Sequence, residues 1–258
     1  MIKKRFKVIE AVKSGYLFTA QEWKYLLKIG MVPMILHIAI ALFIQFYRKD
    51  ASVIEGYLWG LPATALFSWF TFVEIRLLLL GERIGQSAGD ITHIVNRYKL
   101  MKTTIIISLL FNMSITFATT TLMAITQSEM WGVDIPLTLS GSFIIGALFW
   151  GIRLGLLPIL AAVGYPIKPF LQKMTSPLFS IQLMAMGILC LLPIALLFQL
   201  IVSTIIEQPE IITPEFQLSV KEQVLLIIIS APLSLITNIL LNASAAFALK
   251  QMLKGDKK

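Results

Sequence analysis

Apolar residues in this chain fall into six long runs separated by short polar stretches, at roughly 27–47, 58–80, 103–125, 137–163, 178–206 and 223–249. Each run supplies the ~20 apolar residues a helix needs to cross a hydrocarbon core about 30 Å thick. Proline lies inside several of them, at Pro33, Pro62, Pro158, Pro193 and Pro232. Neighbouring helices can satisfy the carbonyl that a proline frees in a membrane helix, so these positions predict kinks rather than ends. The pattern predicts an all-α polytopic membrane protein with six transmembrane helices. Its parts are a cytoplasmic amphipathic arm over 1–26, the six-helix domain over 27–249 and a basic tail over 250–258.

The stretches between the runs have a pattern of their own. In the arm, Ile9, Val12, Tyr16 and Trp23 recur at roughly helical spacing beside Lys3, Lys4, Arg5, Lys7 and Lys13, which predicts a helix lying on the membrane surface. A cleaved signal peptide is the competing reading. The apolar run begins too late and runs too long for one, with no small-x-small site behind it. Over 90–101, Ile91, Ile94, Val95 and Tyr98 share one helical face, while Thr92, His93, Asn96, Arg97 and Lys99 lie mostly elsewhere. A third such segment, 168–174, is shorter and interrupted by Pro169. Each precedes an outward-going run, and the basic positions Lys28, Lys102 and Lys173 recur about 70 residues apart, which is compatible with three repeats of surface segment plus helical hairpin. A local echo agrees: Phe72-x-x-Ile75-Arg76-Leu77-x-Leu79-Leu80 matches Phe149-x-x-Ile152-Arg153-Leu154-x-Leu156-Leu157.

Charge then sets orientation. The chain is 57% hydrophobic and only 14% charged; soluble domains carry about 25% charged residues. The net charge of +8 is not spread evenly. One set of loops and termini carries the arm's lysines, then Arg83, Arg97, Lys99, Lys102, Lys168 and Lys173, then Lys250, Lys254, Lys257 and Lys258. The other set has Arg48, Lys49 and Lys221 among Asp50, Glu55, Glu129, Asp134, Glu207, Glu210, Glu215 and Glu222. The positive-inside rule places both termini in the cytoplasm. The expected partners are membrane lipids, with anionic headgroups at the cytoplasmic face, and partner proteins; nucleic acid is not expected.

Short motifs carry a resemblance. Gly15-Tyr16-x-Phe18, then Trp23-Lys24-x-Leu26-Leu27-Lys28-Ile29-Gly30-x-x-Pro33, and later Arg153-Leu154-Gly155-Leu156-Leu157-Pro158 resemble bacterial multi-pass membrane proteins similar to the helical membrane domain found beside glycerophosphodiester phosphodiesterase domains. In that pattern a basic, tryptophan-bearing segment follows the proline; here 165–177 is shorter and has no tryptophan. The resemblance implies a helical protein embedded in the bacterial inner (plasma) membrane, without an assigned reaction. No phosphodiesterase catalytic domain accompanies it.

Enzyme chemistry finds little footing. A serine protease needs a histidine within reach of its nucleophile, but none follows His93, which is on the cytoplasmic side, although Ser140-Gly141-Ser142 sits in an apolar run. A metalloenzyme needs several ligands, and only His37 and Glu74 lie within apolar runs. No P-loop is present, and the single cysteine, Cys190, permits no intrachain disulfide. No catalytic residue, cofactor or metal is expected.

Intramembrane polar residues are the remaining candidates. Glu74 and Arg153 each lie 16 residues into an inward-running segment, about 24 Å from its outer end at 1.5 Å per residue. Equal depth and opposite charge make a Glu74–Arg153 pair possible, with Arg76 competing; both arginines could instead snorkel to the headgroups. Asn112, Asn238 and Asn242, with the hydroxyls of the third run, form either interhelical hydrogen bonds or a polar path. His37 is expected to be a hydrogen-bonded interior residue. Two functions stay open. One is an integral membrane protein without catalytic chemistry that organises lipid or partner proteins at the cytoplasmic face. The other is a transporter or permease subunit moving a small solute or lipid.

Overall fold

The computed structural model describes residues 6–48, 53–84, 91–126, 151–173, 176–205 and 219–253, and among these the backbone is all-helical, without strands. The helices are α1 (Val8–Tyr47), α2 (Val53–Leu80), α3 (Ile91–Thr126), α4 (Leu157–Ala162), α5 (Ile167–Lys173), α6 (Pro177–Ile205) and α7 (Val220–Leu253). Five of them, α1, α2, α3, α6 and α7, are long and apolar enough to cross a membrane.

The fourth expected run departs from a continuous helix. Residues 137–150 lie outside the described residues. Gly151 to Leu154 are helical, the helix breaks at Gly155–Leu156, and α4 resumes for only six residues. The break has a local cause. Leu156 N–H bonds to Arg153 O, three residues back, at 3.1 Å. Pro158 then sits in the first turn of α4, where its missing N–H leaves no intrahelical bond unmade. The echo between the two arginine segments therefore fails in conformation: after Arg76 the chain stays helical to Leu80, and after Arg153 it does not.

Helix α1 runs through the expected arm and the first apolar run as one 40-residue helix, so no break falls at the boundary between 26 and 27. Its support is α7, which lies along it. A Cβ added at Gly15 would collide with Ser244 Oγ and stand 3.0 Å from Ser244 N; one at Gly30 would stand 2.8 Å from Leu235 Cδ2. Small residues at such crossings let helix backbones approach, the main packing device where lipid removes the hydrophobic drive. Helix α3 likewise joins the expected surface segment to the third run. Its Ile94, Val95 and Tyr98 are exposed, and Ile94 and Tyr98 line a cleft with Trp69, Phe72 and Val73 of α2.

The best-packed region gathers the start of α1, the end of α2, α4, α5, the start of α6 and the end of α7. Phe6, Phe179 and Phe170 form an edge-to-face chain with centroids 6.1 and 6.5 Å apart. Lys7 N–H donates to Gln251 Oε1, and Gln182 Nε2 donates to Phe6 O, tying the residues before α1 to the end of α7 and to α6. Helices α2 and α4 both end in a left-handed glycine, Gly81 and Gly164, each at φ +71°. After α4, Gly164 N–H bonds to Ala161 O and Tyr165 N–H to Leu160 O, the Schellman arrangement, whereas after α2 Gly81 N–H bonds to Leu77 O, the simpler left-handed closure. Helix α7 opens on a capping box, with Ser219 N–H and Oγ–H donating to Glu222 Oε2 and Glu222 N–H returning to Ser219 Oγ.

Candidate functional site

The two arginines of the apolar runs are each satisfied close to home. The turn after Gly81 brings Glu82 back under Arg76, whose Nε and Nη2 each donate to the carboxylate at 2.8 Å. Its Nη1 donates to Ala162 O at 3.0 Å, taking up a carbonyl that the end of α4 leaves open. The Phe72 ring lies 5.4 Å from this guanidinium. Arg153, 2% exposed, donates from Nε to Ser180 Oγ and from Nη2 to Ser176 O at 2.9 Å. It thereby ties the break before α4 to the start of α6.

Glu74 takes part in neither arrangement. Its residue is 0% exposed. Oε2 accepts one bond, from Asn242 Nδ2 at 3.2 Å, and Oε1 has no hydrogen-bond partner. The Glu74–Arg153 pair that equal depth made possible is not formed, and neither arginine snorkels: Arg76 and Arg153 are both buried. Equal depth did not bring the groups together: Arg153 bonds to Ser180 and Ser176 O at the start of α6, and Glu74 to Asn242 of α7.

What Glu74 adjoins is a polar cavity of about 300 Å³. Helix α2 lines it with Thr64, Ser68 and Thr71, α3 with Ser108 and Asn112, and α7 with Ser234, Asn238 and Asn242. The cause is spacing. Thr64, Ser68, Thr71 and Glu74 follow one another at steps of four, three and three residues, and the α7 positions at steps of four. Steps of three and four keep residues on one helical face, so three polar stripes meet. Asn112, Asn238 and Asn242, read as making either interhelical hydrogen bonds or a polar path, all line this one space. Among the described residues no Lys, Arg, Asp or Glu does so.

The stripe residues are half committed. Thr64 and Ser68 hydroxyls donate to Gly60 O and Thr64 O, and Asn112 and Asn238 amides to Ser108 O and Ser234 O, each four residues back. Such back-bonding spends one donor of each group on its own helix. It leaves hydroxyl lone pairs and amide carbonyls to face the cavity. Asn242 Nδ2 donates both to Glu74 Oε2 and, at 3.2 Å, to Thr71 Oγ1.

Two apolar cavities adjoin the polar one. The first, about 470 Å³, shares Phe111, Gly155, Asn238 and Asn242 with it and is otherwise walled by α4, α6 and α7 side chains such as Ile159, Met186 and Leu241. The second, about 430 Å³, shares Ser234 and Asn238 and runs between α6 and α7 past Ile194, Phe198 and Leu233. Leu191 and Asn238 belong to both apolar cavities. A groove thus follows α6 from Leu183 to Phe198, about 22 Å at 1.5 Å per residue, with the polar cavity opening near its middle.

His37 also differs from expectation. It is exposed and stands at the cavity wall, its ring edge-to-face with Phe67 at 6.0 Å, rather than hydrogen-bonded in the interior. The polar lining residues that sequence reasoning passed over are Thr64, Ser68 and Thr71 of α2 and Ser234 of α7. The helical spacing of the first three to Glu74, and of Ser234 to Asn238, was the available signal. Among the described residues no three of His, Cys, Asp and Glu gather as a metal-ligand set. No family model, curated protein or solved structure matches the chain.

Proposed function

We propose that this protein is a lipid carrier of the bacterial inner membrane, with six crossings, both termini in the cytoplasm and no catalytic chemistry of its own. The observation that supports the reading is the junction at Asn238 and Asn242 of an uncharged polar cavity with a long apolar groove. Volumes of about 300 and 470 Å³ lie in the range of ligand sites, which pair apolar walls with a few placed polar groups. An amphiphile satisfies both compartments at once: a headgroup among Asn112, Asn238 and Asn242, and a hydrocarbon chain along α6. The polar wall offers hydroxyls and amides and no cation among the described residues. It therefore matches a hydroxyl-bearing, uncharged headgroup rather than a phosphate, whose recognition relies on Arg or Lys.

The test is transbilayer movement in liposomes. A fluorescent glucosyl-diacylglycerol should cross faster in liposomes holding the protein than in empty ones, and Asn238→Leu should return the rate to that of empty liposomes. A fluorescent phosphatidylglycerol should be accelerated less. Equal rates with and without protein refute the carrier reading and favour an organiser that acts through its basic cytoplasmic segments. Acceleration indifferent to Asn238 refutes the cavity as the route.

A further inference from the structure

Glu74 poses a problem the lipid site does not answer. A carboxylate wholly removed from solvent, with one oxygen unbonded and no arginine beside it, is unstable as a bare ion: a buried charge is tolerated only when paired or coordinated. Sequence offered Arg153 as the counter-charge, and that guanidinium is held by Ser180 and Ser176 O instead. Arg76 is held by Glu82. The other titratable groups on the elements around α2 are placed elsewhere: Tyr16 of α1 donates to Cys190 O, the Cys190 thiol donates to Ser244 Oγ, and His37 lies against Phe67.

The geometry points to Glu74 as the binding site of one monovalent cation, sodium ion or proton, that enters through the polar cavity. Three features carry this. The vacant Oε1 sits on a side chain with no exposed surface. Thr71 and Asn242 both line the cavity and both lie against this carboxylate's position, one a turn away on α2 and one bonded to Oε2. The donors are all hard oxygens: two from the carboxylate, the Thr71 hydroxyl, and the Asn242 carbonyl once its amide turns over, an exchange of near-isosteric groups. Oxygen sets of this kind take alkali and alkaline-earth cations. A single carboxylate balances one positive charge, which selects a monovalent occupant over calcium or magnesium. The same carboxylate takes a proton with no other ligand needed.

The inference goes beyond lipid carriage and is tested without a lipid substrate. The full-length protein in detergent is melted in four conditions, sodium chloride or choline chloride at equal ionic strength, each at pH 5.5 and pH 8. If sodium binds, replacing choline by sodium at pH 8 raises the melting temperature by about 2 °C or more, since a ligand of the folded state stabilises by mass action. If a proton binds, lowering the pH in choline gives that rise and sodium does not. In both cases Glu74→Gln, permanently neutral, loses the response and melts near the occupied wild-type temperature. Equal responses in wild type and Glu74→Gln overturn the inference, as does no response in wild type. Should Glu74→Gln fail to fold, Asn242→Leu replaces it. That variant removes the one hydrogen bond Glu74 receives, so the midpoint of whichever titration is seen must move, and an unchanged midpoint overturns the inference.

Discussion

Arg76 and Arg153 occupy matching positions in an echoed sequence pattern, yet the hydrogen-bond acceptors around each are different. Arg76 has an acid six residues on, delivered by a glycine turn; Arg153 has a serine hydroxyl and a carbonyl from the start of α6. Sequence showed that these charges lie within apolar runs. It did not reveal their partners, because depth fixes height along a helix but not rotation about it. The Arg76–Glu82 pair has side chains only 6% and 25% exposed and two parallel hydrogen bonds, the geometry in which ion pairs contribute most. Arg76→Met should lower unfolding free energy by about 1.5–3 kcal/mol, the usual loss for hydrogen bonds to charged groups. Glu82→Leu should do similar harm, by stranding a guanidinium in a buried place. The double mutant should recover part of the loss, a coupling that denaturant titration in mixed micelles would measure. Strictly additive losses would show that the bidentate contact contributes nothing of its own.

At the level of helices, what the sequence made legible was apolar length, and what it concealed was continuity. The arm and the first run read as two elements because lysines interrupt the apolar pattern near residue 28. They form one helix because α7 lies alongside both. The fourth run read as one element because nothing but Arg153 interrupts it, and it breaks because Gly155 and Pro158 fall within four residues. The polar stripes were half legible: the α7 stripe through its asparagines, the α2 stripe hidden among hydroxyls that count as nearly apolar in a long run. The α1–α7 contact makes a sharp prediction. Gly15 meets the Ser244 backbone, whereas Gly30 meets only the far end of the Leu235 side chain. Alanine in place of glycine favours a helix by about 1 kcal/mol, while overpacking a rigid contact costs about 1–3 kcal/mol. Gly15→Ala should therefore destabilise the protein and Gly30→Ala should be near neutral, because leucine can turn aside and a backbone cannot. Thermal melts in detergent check the order; equal effects would mean that α1 and α7 part easily at Ser244.

Taken as a whole, the molecule concentrates its tight packing at one end, and that end is also where its basic residues collect. Lys7 bonds Gln251 and Glu10, Arg83 bonds Glu22 and covers Tyr25, and Arg97 lies 4.0 Å from Glu82. These contacts bring the start of α1, the end of α2, the start of α3 and the end of α7 together. Where α1 ends and α2 begins, Arg48 is paired to Glu55 at 3.7 Å. Lysine and arginine near membrane helices resist translocation, so the basic end is the one expected to stay in the cytoplasm. The lipid reading depends on that direction, since it decides which leaflet faces the headgroups at Asn112 and Asn238. A phosphatase reporter active only outside the inner membrane should be silent when fused at residue 258 and active when inserted between residues 207 and 222. Replacing Arg83, Arg97 and Lys99 together with glutamine should weaken this preference and yield a mixed population. The reverse pattern, activity at residue 258 with silence between 207 and 222, would invert the molecule. It would then place the packed end, with Arg76 and Glu82, on the outer face.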